Sequence, residues 1–143
     1  ITIAEPYKLS KTYGTLHEAH AVIFKVFTDE GSVGLGEADP MKPFTTETPE
    51  AVMTVTRDII APHIIGRDPT RIAMVESTLD DIVDGNLTAR GAVNMALYDI
   101  IGKANNIPIH MLLGGLRHGK LPLLFGIGSG TPEETIAGAS SPV

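Results

Sequence analysis

Residues 90–115 read RGAVNMALYDIIGKANNIPIHMLLGG, and no other segment says more about the fold of this chain. Together with the residues from Leu87 onward, this segment predicts a helix that runs to about Asn105, because apolar residues recur at helical spacing. The residues of this stripe are Ala89, Ala92, Val93, Ala96, Leu97, Ile100, Ile101 and Ala104. Many of them are small, so the backbone of this helix should lie close to its neighbours.

Upstream of this helix, residues 1–39 predict a three-stranded antiparallel meander. Residues 21–27 are rich in β-branched and aromatic side chains, a composition typical of a strand. A turn sequence follows, and residues 32–38 form the partner strand. Gly34 and Gly36 in that strand should let another element approach its backbone closely.

Capping and turn signals place the remaining elements. Thr48–Glu50 combines a capping hydroxyl, a first-turn proline and an acidic residue, so a helix should start there and end at Pro62. Asp68–Pro69 repeats the start signal for another helix. Residues 120–128 are almost continuously apolar, as in a strand of a parallel sheet. Thr131–Glu134 is a capping box that opens a further helix.

Composition excludes several classes of function. The chain has 143 residues, is 43% apolar and carries a net charge of −6 with its charges interspersed. We therefore expect neither nucleic acid nor an anionic membrane as a partner, because both require a clustered basic face. No segment contains the roughly 18 consecutive apolar residues of a membrane span. There is no cysteine, which excludes disulfides and thiolate chemistry. We expect a cytoplasmic protein.

Several motifs occur together in one order along the chain: Tyr13–Thr15, Gly34–Ala38, Ala92–Asp99, Gly102–Lys103, Ile107–Pro108 and Leu112–Gly115. The chain resembles the enolase superfamily in its mandelate racemase/muconate lactonizing enzyme branch, across nearly its whole length. The resemblance implies an α+β capping domain over residues 1–115, with a three-stranded antiparallel meander followed by a helical bundle. It assigns residues 116–143 to the first βα unit of an incomplete (β/α)8 barrel.

The resemblance also implies a reaction class. Such enzymes abstract a proton alpha to a carboxylate and stabilise the enediolate on a divalent cation, usually Mg²⁺. The products are those of a racemase, epimerase, cycloisomerase or dehydratase. The metal ligands and the catalytic base would lie beyond Val143, so no catalytic or metal-binding residue is expected in this chain, and the chain alone should be inactive. The expected partners are a small carboxylate substrate, the rest of its own barrel and further copies of the protein.

Two loops should cover the mouth of the barrel in this family and shape specificity. They correspond here to residues 8–17 and 40–46. Pocket-facing candidates from these loops are Tyr13, Thr15, His17 and Phe44. Ser129 is a further candidate, because it lies at the carboxyl end of the first barrel strand, where active-site groups gather.

Other patterns allow competing interpretations. His17 and His20 suggest a metal site, but they are three residues apart at a strand and therefore point to opposite faces. The histidine pair of zinc proteases is four residues apart on a helix, so a metal site is not the favoured interpretation here. Gly126–Gly130 could cradle a phosphate, but this is a weak signal without a doubly wound sheet, and a tight turn at a barrel strand end is the favoured explanation. The chain could also be a stand-alone α+β interaction module, but the apolar run at 121–127 would then leave apolar surface exposed.

Overall fold

The computed structural model describes residues 1–10, 12–41, 44–123 and 130–140. Their contacts define two compact units, one of Ile1–Ala19 with His118–Val143 and one of His20–Arg117. The elements in chain order are β1 (Thr2–Ser10), β2 (Gly14–Glu18), β3 (Val22–Phe27), β4 (Val33–Ala38), α1 (Pro49–Val55), a π-helical turn (Thr56–Ile60), α2 (Ala61–Ile64), α3 (Ile72–Ile82), α4 (Leu87–Asn105), α5 (Ile109–Leu112) and α6 (Pro132–Ser140).

The predicted α+β class is confirmed, but the predicted three-stranded meander is not what forms. The described residues build four strands in two antiparallel sheets, β1 with β2 and β3 with β4. The segment 8–17, predicted as a loop, contains the end of β1 and most of β2. Gly14 has φ +76°, which side chains of L-residues rarely adopt. The chain therefore reverses there, and Ser10 pairs with Gly14 while Thr2 pairs with Glu18.

The second unit is built on close contact between β4 and α4. A Cβ atom added to Gly34 would collide with the carbonyl oxygen of Ala96, and one added to Gly36 would collide with that of Ala92. The backbones of strand and helix thus touch without intervening side chains, as the small residues in both segments predicted. Around this contact lies a core of buried apolar side chains that includes Phe24, Val52, Ile60, Val75, Leu79 and Val93.

The helix that begins at Pro49 continues past the predicted stop at Pro62. Thr48 caps it as expected, since its hydroxyl accepts a hydrogen bond from the amide of Ala51 at 3.2 Å. The π-helical turn precedes α2, in which Pro62 occupies the first turn. The helix ends at Ile64.

The carboxyl-terminal elements match the prediction in part. The capping box of α6 is confirmed: Glu134 accepts from the amide of Thr131 at 2.8 Å, and the Thr131 hydroxyl accepts from the amide of Glu134 at 3.3 Å. Residues 120–123 are not in a strand. The rest of the predicted barrel strand, residues 124–128, lies outside the described residues, and the barrel assignment of 116–143 stays a prediction.

Candidate functional site

Three of the five candidate pocket residues lie on the β1–β2 hairpin. Tyr13 is in its turn and is 51% exposed. Thr15 and His17 are exposed residues of β2. Because side chains alternate along a strand, Thr15 and His17 lie on the same face. The hairpin therefore presents a phenol, a hydroxyl and an imidazole within five residues of sequence, a set that can accept or donate hydrogen bonds to a polar ligand.

Phe44 belongs to the second unit, between β4 and α1. Its side chain is 55% exposed. Its amide donates to the carbonyl of Met41 at 2.8 Å, and the amide of Thr45 donates to the same oxygen at 2.9 Å. Phe44 is thus held in a hydrogen-bonded turn. Ser129, the fifth candidate, lies outside the described residues.

A buried carboxylate, Glu47, was missed by the sequence interpretation. It follows the predicted loop 40–46 and is only 8% exposed. Its Oε2 accepts a hydrogen bond from the amide of Thr88 at 2.8 Å, and its Oε1 accepts one from the amide of Ala89 at 3.3 Å. These partners are more than forty residues away in sequence, so no local pattern could have revealed the contact.

Glu47 supplies the amino-terminal cap that α4 lacks locally. The residue before the helix, Asn86, has φ +48° and its side chain caps nothing. The first amides of a helix have no partner within the helix, and leaving one buried and unpaired is costly. A carboxylate at this end also interacts favourably with the helix dipole. Glu47 therefore joins the segment between β4 and α1 to the start of the longest helix.

An ion pair joins the other end of α4 to β4. Asp99 Oδ2 accepts from the amide of Leu35 at 2.8 Å and from Lys103 Nζ at 2.6 Å. Lys103 Nζ also donates to the carbonyl of Val33 at 2.8 Å. The hydrogen bond from Lys103, aided by that from Leu35, holds the pKa of Asp99 below its ordinary value of 3.8. The Asp99–Lys103 pair therefore joins β4 to α4, the helix that Gly34 and Gly36 contact.

This lowered pKa predicts a loss of stability in acid. A carboxyl group whose pKa is lower in the folded protein stabilises the fold above its unfolded pKa, and this contribution disappears as the pH falls through the folded pKa. We expect the stability difference between the full-length protein and its Asp99→Asn variant to be constant near neutral pH and to shrink below about pH 4. Urea denaturation at several pH values measures it, and a difference that does not change with pH would contradict the assignment.

Asn94 lies at a polar contact between α3 and α4. Its amide donates to Glu76 Oε1 at 2.6 Å, and Arg90 pairs with Asp80 and lies 3.7 Å from Glu76. An aspartate at position 94 would place a second carboxylate against Glu76, and like charges at that distance repel. Asparagine therefore suits its neighbours here.

The described side chains include no group of three or more His, Asp or Glu residues that could hold a metal ion. The divalent cation implied by the resemblance thus has no fitting ligand set in the part of the chain that the structure describes. Among these same residues, no helix is both long enough and apolar enough to cross a membrane.

Comparisons with known proteins agree with this architecture. The family model for the mandelate racemase/muconate lactonizing enzyme N-terminal domain matches residues 1–114. An N-succinyl-L-Arg/Lys racemase from Bacillus cereus is 30% identical over 141 residues, 99% of this chain. Muconate cycloisomerase 1-1 from Acinetobacter lwoffii is 33% identical over 94% of the chain.

Solved structures give the same answer. The crystal structure of the Bacillus cereus N-succinyl Arg/Lys racemase superposes with a TM-score of 0.92 at 29% identity over 97% of this chain. A substrate-liganded L-Ala-D/L-Glu epimerase from Bacillus subtilis gives 0.87 at 27% identity, also over 97%.

The chain spans only part of these relatives. It covers 38% of the length of the racemase and 35% of that of the cycloisomerase. It covers 37% and 38% of the two superposed crystal chains. The family model that matches is that of the family's N-terminal domain. The chain belongs to the enolase superfamily, in its mandelate racemase/muconate lactonizing enzyme branch, and corresponds to the N-terminal domain of that family.

Proposed function

We propose that this chain is the capping part of a divalent-metal-dependent enzyme that abstracts a proton alpha to a carboxylate, as a racemase, epimerase, cycloisomerase or dehydratase. The observation that carries the proposal is the match of the family's N-terminal domain to residues 1–114. Relatives named as a racemase, a cycloisomerase and an epimerase align over nearly the whole chain. The proposal includes assembly into a homo-oligomer and a cytoplasmic location.

The role of this part is to cover the reaction and select the substrate. A proton alpha to a carboxylate is weakly acidic, so its removal needs a base and a cation that stabilises the enediolate. The described residues contain no ligand set for such a cation, and we place both groups on the remainder of the polypeptide. Excluding water from the site strengthens electrostatic stabilisation of the intermediate. Tyr13, Thr15 and His17 on the hairpin, with Phe44, are the side chains that we assign to this cover.

The proposal predicts turnover by the full-length protein. We expect it to convert at least one member of a panel made of N-succinyl-L-arginine, N-succinyl-L-lysine, L-Ala-L-Glu and cis,cis-muconate. Racemisation or epimerisation is followed by polarimetry and by exchange of the alpha hydrogen in D₂O. Cycloisomerisation is followed by loss of muconate absorbance. Added EDTA should abolish the activity, and Mg²⁺ should restore it.

Separate outcomes contradict separate parts of the proposal. Activity that survives exhaustive removal of divalent cations would rule out the metal-dependent mechanism. Turnover by the 143-residue chain alone would rule out the assignment of the catalytic groups to the remainder of the protein. Absence of alpha-hydrogen exchange and of cycloisomerisation with a wider set of carboxylates would overturn the reaction class.

A further inference from the structure

The turn that carries Phe44 is connected to the start of α4 through Glu47. The hydroxyl of Thr45 donates to the backbone carbonyl of Glu47 at 3.1 Å, and the Glu47 side chain accepts from the amides of Thr88 and Ala89. Phe44 therefore lies three residues from a side chain that is fixed by two hydrogen bonds to another element.

The attachment to α4 is rigid for a physical reason. Ala89 is fully buried, and α4 rests on β4 through Ala92 and Ala96. A helix held by backbone contact cannot shift without separating from the strand, since packed interiors are not continuously deformable. The Glu47 carboxylate, which is bound to the first turn of this helix, therefore holds the segment that precedes α1 in a fixed position.

From these contacts we infer that Glu47 is a positioning residue for substrate selection, which it performs by fixing where Phe44 stands. The inference rests on the proposed function, because it takes Phe44 as part of the substrate cover. An aromatic side chain discriminates between substrates by its shape and place, and a displacement of about 1 Å can change rates by two orders of magnitude. Glu47 acts through Phe44 and does not itself touch the substrate.

The experiment compares variants of the full-length enzyme on the two best substrates of the panel. Glu47→Gln keeps one acceptor and should fold, whereas Glu47→Ala removes both. The expected result is a change of about tenfold in the ratio of the two kcat/KM values for Glu47→Gln. In a Phe44→Ala background the same substitution should change that ratio by less than about twofold, because the side chain through which it acts is gone.

Thr48→Ala is the matched control. Thr48 is the next residue and caps α1, so its loss should lower stability without releasing the bond to α4. Even if Thr48→Ala lowers the denaturation midpoint as much as Glu47→Gln does, it should leave the ratio of the two kcat/KM values unchanged. Hydrogen exchange of a peptide containing Phe44, followed by mass spectrometry, should speed up in Glu47→Gln and not in Thr48→Ala.

Two results would overturn the inference while the proposed function stands. One is an unchanged substrate ratio in Glu47→Gln of an active enzyme. The other is a change in the ratio that persists in the Phe44→Ala background. The proposed function fails on a different observation, namely the absence of turnover and of alpha-hydrogen exchange in the unsubstituted enzyme. Amide hydrogen exchange of the Phe44 peptide would still report whether Glu47 positions the turn in that case.

Discussion

Replacing Gly36 by alanine should destabilise the full-length protein by about 3 kcal/mol, the upper end of the usual cost of overpacking. The added Cβ would collide with the carbonyl oxygen of Ala92 in α4. A backbone oxygen cannot rotate away as a side chain can, so strand and helix must separate. Separation also weakens the contact of Gly34 with Ala96. The midpoint of urea denaturation measures the effect.

Gly91→Ala is the control for this substitution. Gly91 also lies in the β4–α4 unit, within α4 itself, but nothing lies within 4 Å of a Cβ atom built on it. Alanine is a better helix former than glycine by roughly 1 kcal/mol, so this variant should be as stable as the parent protein or more stable. A Gly36→Ala variant that denatures at the same urea concentration as Gly91→Ala would refute the backbone contact between β4 and α4.

Replacing Glu47 by alanine should cost about 2 kcal/mol of stability. The substitution leaves the amides of Thr88 and Ala89 without their acceptor, and an unpaired buried donor costs about 1–3 kcal/mol. Ala89 is fully buried, so water cannot readily replace the carboxylate there. The favourable interaction of the charge with the α4 dipole is lost as well. Chemical denaturation of the full-length protein again gives the magnitude.

An exposed glutamate provides the comparison for this prediction. Glu37 lies in β4 with its side chain exposed, so Glu37→Ala should change the stability by no more than about 0.5 kcal/mol. Equal effects of the two substitutions would mean that the loss at position 47 reflects charge removal in general. A larger effect at Glu47 alone identifies the cap.

Elements whose signals are local were predicted from the sequence. The longest helix was expected from Leu87 to about Asn105, and α4 has these bounds. Its apolar stripe and the Thr48 cap of α1 could be predicted from neighbouring residues alone, because helical periodicity and capping act over a few positions. Ala104, which was assigned to this stripe, is exposed. The close approach permitted by Gly34 and Gly36 was also foreseen, although the identity of the approaching element was not.

Features that join distant residues were decided only by tertiary structure. The hairpin of β1 and β2 depends on the positive φ of Gly14, which a sequence permits without requiring. The first helix continues through a π-helical turn and α2 to Ile64, although the local rule for proline predicted its end at Pro62.

The sequence by itself determined the family, the bounds of α4 and the small residues of the β4–α4 contact, because the patterns that indicate each of them lie within short segments of the chain. Only the tertiary structure shows that Glu47 caps α4 and that Asp99 accepts a hydrogen bond from the amide of Leu35 in β4. Both contacts span more than forty residues. A hydrogen bond requires its two atoms to be within about 3 Å, and only the packed fold brings such atoms together.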